Sequence, residues 1–109
     1  MKISFATNKI EKLCRDSKTA VSILGPLSAK KLQLRLSQLF AAPSVAELAG
    51  GRPHPLKHKR AGQFALDLHG GHRLIFAPSQ EPPPLREDGS IDWQQVTDIT
   101  IIAAEDYHD

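Results

Sequence analysis

Several whole classes of protein are excluded by what this chain lacks. A single cysteine, Cys14, in 109 residues rules out an internal disulfide framework and leaves no Cys pair for a zinc site. No apolar run approaches the roughly 20 residues needed to cross a bilayer. The opening MKISFATNKI has no apolar core followed by a cleavage site, so a reducing cytoplasm is the expected compartment. There is no Gly-rich phosphate loop, no G-x-S-x-G elbow and no internal repeat.

What is present fits an ordinary folded protein. An apolar content of 40% and a charged content of 24% are those of a soluble domain rather than a disordered tail, and the length suits one domain, 1–109, with a modest core. The net charge of +2 is mild, but its distribution is uneven. Thirteen Lys and Arg stand against four acids before residue 77, and one Arg against eight acids after it. A basic body with an acidic last third suits a phosphate backbone on one face, although solvated surface charge would give the same count.

The pattern of apolar residues predicts strand, helices, then strands. Residues 1–6 alternate as a short strand. Thr7 or Asn8 caps a helix over 8–24 in which Ile10, Leu13, Cys14, Ser17, Val21 and Leu24 form one stripe, ended by Gly25 and Pro26. Cys14 lies on that stripe and reads as a small buried hydrophobe rather than a reactive thiol. A second helix over 28–42 has Ala29, Leu32, Leu36, Leu39 and Phe40 on its apolar face, with Lys30, Lys31, Arg35 and Gln38 outward. Strands follow around 53–57, 63–69, 72–77 and 96–103, with a Pro-rich loop over 78–92. The economical architecture is α+β, a small, mainly antiparallel sheet with an N-terminal helical hairpin packed on one face.

The chemistry is concentrated between Arg52 and Phe76, which hold five of the fourteen Lys and Arg and four of the five His against one acid, Asp67. His54-Pro-Leu-Lys57 leads into the basic turn His58-Lys59-Arg60. Phe64 to Leu68 and Arg73 to Phe76 then read as a hairpin reversed at His69-Gly70-Gly71-His72, which leaves Lys57 and Arg73 on neighbouring segments and free to converge.

The order H-P-L-K, a basic residue, G-x-F-x-L-x-L, R-L-I-F and a final Asp106-Tyr107-His108 resembles the RelE-like toxins of type II toxin–antitoxin systems, and within them the HigB, or plasmid-maintenance killer, branch. The likeness runs from Met1 to His108. It implies a small curved sheet with a helical pair on its back, and a ribosome-dependent, metal-independent mRNA endonuclease that cuts in the A site by attack of the 2′-hydroxyl on the adjacent phosphorus. Matched to that motif, His54, Lys57, Arg73, Asp106, Tyr107 and His108 are the candidate catalytic residues. Lys57 and Arg73 suit charge stabilisation, and His54 and His108 suit proton transfer, with acid and base unassigned between them. Asp106 suits tuning an imidazole, and Tyr107 stacking or a phosphate contact. Arg52, Lys59 and Arg60 are candidate RNA contacts.

The resemblance further implies a cognate antitoxin with a helix-turn-helix DNA-binding domain, the ribosome and mRNA as partners, operator DNA reached only through the antitoxin, and no membrane. No cofactor and no metal are expected. A metal site from His54, His58, His69, His72 and His108 is disfavoured, because no Cys pair accompanies them and the one acid nearby in sequence is Asp67. The alternative function on the same fold is a ParE-like toxin that binds and inhibits DNA gyrase without nuclease chemistry, and a third is a decayed toxin surviving as a co-repressor. The chain departs from the family where His58 replaces a usual Gly, where Ala65 replaces a usual Ser, and in the length of the loop at Pro82-Pro83-Pro84.

Overall fold

The computed structural model describes residues 1–106. β1 (Lys2–Phe5) lies parallel against the last strand, β5 (Asp98–Asp106), with Ile3 opposite Ile99 and Phe5 opposite Ile101. Between them come α1 (Asn8–Arg15), α2 (Ser17–Leu24), α3 (Pro26–Ala41), β2 (His54–Pro55), β3 (Phe64–Asp67) and β4 (His72–Pro78). The sheet order is β1-β5-β4-β3-β2, antiparallel apart from the β1·β5 pair. The fold is thus α+β, with a five-stranded sheet and three α-helices among the described residues.

The helix expected over 8–24 is two helices. Thr7 caps the first, its hydroxyl accepting from the Ile10 amide at 3.1 Å. Asp16 then leaves helical geometry, and its carboxylate accepts from the Lys18 amide and the Thr19 hydroxyl, each at 3.0 Å, so that it caps α2. The break resets the helical phase: Ala20 and Leu24 are buried, whereas Ser17 and Val21, expected on the stripe, are exposed. Pro26 opens α3 at its first position, where its missing N–H deprives the helix of nothing.

α3 buries Ala29, Leu32, Leu36 and Leu39, but Phe40 is 62% exposed instead of part of the apolar face. Arg35, expected outward, is buried. Its Nε donates to the Asp67 carbonyl at 3.0 Å and its Nη1 to Gln38 Oε1 at 3.0 Å. Gly50 and Gly51 pass directly over it; a Cβ on Gly51 would sit 2.6 Å from Arg35 Nε.

Together the helices cover one face of the sheet, meeting Phe64, Leu66, Leu74, Phe76, Ile99 and Ile101. Cys14 belongs to this core, and burial pushes its thiol up to about 11, the nearby Arg15 pulling the other way. The opposite face carries a much smaller cluster of Leu56, Ala65 and Ile75, with Ala103 packed on it.

A bulge between these layers has a large effect downstream. Ile75 pairs with Ala103 but Phe76 with Ile101, so Ile102 is an extra residue in β5. Before it, Ile99 and Ile101 face the helices. After it the alternation is shifted, so that Ala104 faces the helices while Ala103 and Glu105 take the other side.

Candidate functional site

The face that the helices leave open bears a row of charges of alternating sign. Asp67 on β3 stands opposite Arg73 on β4, and Arg73 opposite Glu105 on β5. Asp67 holds two arginines: Arg73 Nε lies 2.9 Å from Oδ1, in ion-pair contact though its N–H is not aimed along a hydrogen bond. Arg52 Nε lies 3.0 Å from Oδ2. Arg60 reaches back from the basic turn to pair with Glu105, and its Nη1 donates to Gln63 Oε1 at 3.2 Å.

Arg73 is fixed from both sides. Besides Asp67, its Nη1 donates to the carbonyls of Gly71 and His72 at 3.3 and 3.5 Å. With Nε and Nη1 so engaged, Nη2 is the corner of the fork left for an anion among the described residues. The guanidinium side chain is 11% exposed, so it sits low in the face as a preset donor rather than waving in solvent.

His54 is on the same face, opposite Ala65. Its Nδ1 lies 2.8 Å from the Arg52 carbonyl oxygen. A carbonyl only accepts, so Nδ1 carries a proton, and Nε2 is turned into the protein.

The other candidates are placed less compactly. Lys57 is exposed and begins the 3₁₀ turn His58–Arg60. The Leu56 amide pairs with the Gln63 carbonyl at 2.9 Å, just before β3 and four residues ahead of Asp67, a backbone separation of about 13 Å along an extended chain. Lys59 is exposed on that turn. Asp106 stands opposite His72 and therefore on the helix-facing side, away from Arg73 and His54. Tyr107 and His108 lie outside the described residues.

His72 itself belongs to a different set of contacts. Ser28 Oγ is 3.1 Å from the His69 carbonyl and 2.7 Å from His72 Nδ1. The one hydroxyl proton satisfies the carbonyl, so His72 Nδ1 donates to Oγ and the hairpin turn is tied to the start of α3. Among the described residues no group of three His, Cys, Asp or Glu gathers that could hold a metal ion, and no helix is long and apolar enough to cross a membrane.

Three residues of this site were not singled out from sequence. Asp67 was visible as the one acid in a basic stretch. Arg35 stands three residues after Leu32 and four before Leu39, on the stripe rather than off it, and that spacing was a signal. Glu105 had none, because its direction depends on the bulge at Ile102.

No protein-family model matches the chain, and no curated protein matches it by sequence. Among solved structures it is similar to a YoeB/ParE toxin from Agrobacterium tumefaciens, with a TM-score of 0.61 and 15% identity over 99% of this chain and 100% of that one. It is also similar to a YoeB-YefM complex from Staphylococcus aureus, with a TM-score of 0.56 and 18% identity over 100% of this chain and 98% of that one. At such identities what is shared is the fold, and this α+β chain has the fold seen in the YoeB/ParE toxin from end to end.

Proposed function

We propose that this chain is the toxin of a type II toxin–antitoxin pair and acts as a ribosome-dependent mRNA endonuclease of the RelE-like, HigB-related kind. The observation that carries the reading is Arg73, held by Asp67 and two carbonyls on the open face with Nη2 to spare, on a sheet whose motif order matches that family. A full-length structural likeness to a YoeB/ParE toxin and to a YoeB-YefM complex supports both the class and a protein partner.

In this reading a scissile phosphate sits over Arg73. A base takes the 2′-hydroxyl proton, the 2′-oxygen attacks phosphorus, and the 5′-oxygen leaves with a proton from an acid, giving a 2′,3′-cyclic phosphate and a 5′-hydroxyl. Arg73 meets the charge that gathers on the phosphoryl oxygens. His54 and His108 share the two proton transfers, with acid and base unassigned between them. Lys57, Lys59, Arg52 and Arg60 follow the RNA or ribosomal backbone, Tyr107 contacts base or phosphate, and Asp106, on the far side of the strand, acts on the conformation of β5 rather than on the phosphate. The antitoxin covers the basic face, and its own domain carries any operator binding.

Primer extension on a defined mRNA in programmed ribosomes tests this, with wild type beside Arg73→Ala. Ribosome-dependent cuts in A-site codons that disappear in the variant are expected; no cleavage by folded wild type sinks the reading. One feature favours a gyrase-binding, ParE-like toxin as the second reading. Asp67 and Glu105 already pair Arg52, Arg73 and Arg60, which suits a protein surface as well as a phosphate. Gyrase inhibition without mRNA cleavage would select it.

A further inference from the structure

At the β2 edge of the sheet, on the opposite side from His54, an open cleft of about 460 Å³ is lined by Pro55, Gly62, Arg86, Ser90, Ile91 and Trp93, among others. We propose that this cleft takes one base of a single-stranded RNA, as a second subsite beside the open face; in this it extends the nuclease reading.

Trp93 supplies a stacking wall. It is half-buried, its ring resting on Phe64 at 4.8 Å with the planes tilted by 59°, and it also borders the cleft. An aromatic surface next to cations is the sequence-tolerant way to hold an unpaired base. The loop that follows β4 does not close over Trp93: Ile91 packs beside it on the core, and the cleft stays open between that loop and the Ala61–Gly62 side.

The loop is built as a small hairpin. Leu85 bridges Ile91, the Arg86 amide donates to the Ser90 carbonyl at 2.7 Å, and the Gly89 amide donates to the Arg86 carbonyl at 3.0 Å. Asp88 closes the turn, accepting from the Ser90 amide and hydroxyl at 2.9 and 2.6 Å. The far wall is therefore ordered rather than a slack chain, and it keeps the space open.

Charge divides the cleft between base and phosphate. Arg86 and Gly62 line it, and Gly62 follows the basic turn that carries Lys57, His58 and Lys59, all exposed. Glu87 and Asp88 lie with Arg86 on the opposite turn, where the Arg86 charge acts on the Asp88 carboxylate. A phosphate is accepted on the lysine side and repelled on the other, which leaves the uncharged base facing Trp93 and Arg86. β2 is two residues wide, with His54 and Pro55 on opposite faces. A single strand crossing that narrow edge passes from the open face over the basic turn into the cleft.

Trp93 is the only tryptophan in the chain, so its fluorescence reports on the cleft directly. Wild-type protein is titrated with hexauridylate and, separately, with inorganic polyphosphate. Saturable quenching by the RNA but not by polyphosphate is expected, with Arg86→Ala retaining the fold and needing severalfold more RNA. Binding of labelled hexauridylate, read by anisotropy, weakens about tenfold in Trp93→Ala and much less in Trp93→Phe, as loss of one stacked base predicts. Circular dichroism shows whether each variant is folded, and Arg86→Ala carries the test alone if Trp93→Ala is not. No quenching by RNA, or equal quenching by polyphosphate, overturns the proposal. Ribosomal cleavage by wild type in the same preparation separates this outcome from failure of the nuclease reading: cleavage without quenching removes only the cleft, and quenching without cleavage removes only the nuclease.

Discussion

Phe76 and Ile75 are neighbours on β4 and both are fully buried, but by different things. Phe76 points into the layer built from three helices, against Phe64 at 5.5 Å between ring centres. Ile75 points the other way, where Leu56, Ala65 and Ala103 are its apolar company. The covered face is held by area, at about 1.5 to 3 kcal/mol for each large side chain buried. The open face has too little area for that, and side-chain polar contacts to Asp67, Glu105 and their arginines secure it instead. The face that can be spared for ligands is thus the one whose order depends on charge.

The largest expected effect tests that contrast directly. Phe76→Ala should lose about 3 to 5 kcal/mol in urea unfolding, since the side chains packed between sheet and helices cannot collapse fully onto the cavity. Ile75→Ala should lose about 2 kcal/mol, because its thin cover can relax toward solvent. Equal losses would mean that the open face is a second full core, and the distinction would fail.

Asp67→Ala attacks the charge-held face. It releases Arg52 and Arg73 together, and a loss of about 2 kcal/mol is expected, since Arg73 is left low in the face without its carboxylate. Retention on heparin should rise with the added net positive charge, while the mRNA cleavage proposed above should fall about tenfold or more because Arg73 is no longer positioned. A variant that binds heparin more tightly and also cleaves faster would show that Asp67 is a brake on the site rather than its support.

The sequence carried the covered face well and the open face only in part. Leu32, Leu36 and Leu39 on α3, and Phe64, Leu66 and Leu68 on one side of the hairpin, are periodic, and periodicity is what burial writes into a sequence. The kink at Asp16 was legible as an Asp followed by Ser and a helical run, but the continuous stripe through Ser17 and Val21 masked it. Arg35 was misplaced because charge was weighed above spacing. Which side of β5 Glu105 and Asp106 take was not legible at all, because one extra residue at Ile102 reverses every direction after it and leaves no compositional mark. Arg73 and His54 were singled out through motif order, whereas Asp67, the acid that holds Arg73, showed only as the lone carboxylate in a basic stretch.

A smaller, opposite effect is expected at the basic turn. His58 holds φ at 56°, the left-handed region that glycine occupies without strain. His58→Gly should therefore raise stability by up to about 1 kcal/mol, the relief of strain being partly offset by the freer unfolded chain. Because the turn belongs to the open side, the gain should leave the unfolding cooperativity of the helical layer unchanged. No gain in urea midpoint would show that the imidazole makes a contact there worth as much as the strain.

The smallest effect belongs to the covered side, at the junction of α1 and α2. The Thr19 hydroxyl and the Lys18 amide hold the Asp16 carboxylate below its ordinary value of 3.8. A group whose folded pKa is depressed contributes stability above its unfolded pKa and loses it as the pH falls through the folded value. Asp16→Asn keeps a capping oxygen but removes the charge, so the Tm gap between wild type and variant should be present at neutral pH and close below about pH 3.8. The carboxylate is exposed, so the gap should be small and shrink with added salt. A gap that persists unchanged at low pH would place the cap's contribution in hydrogen-bond geometry alone. The helical layer would then owe nothing to charge, and the two faces would differ more sharply still.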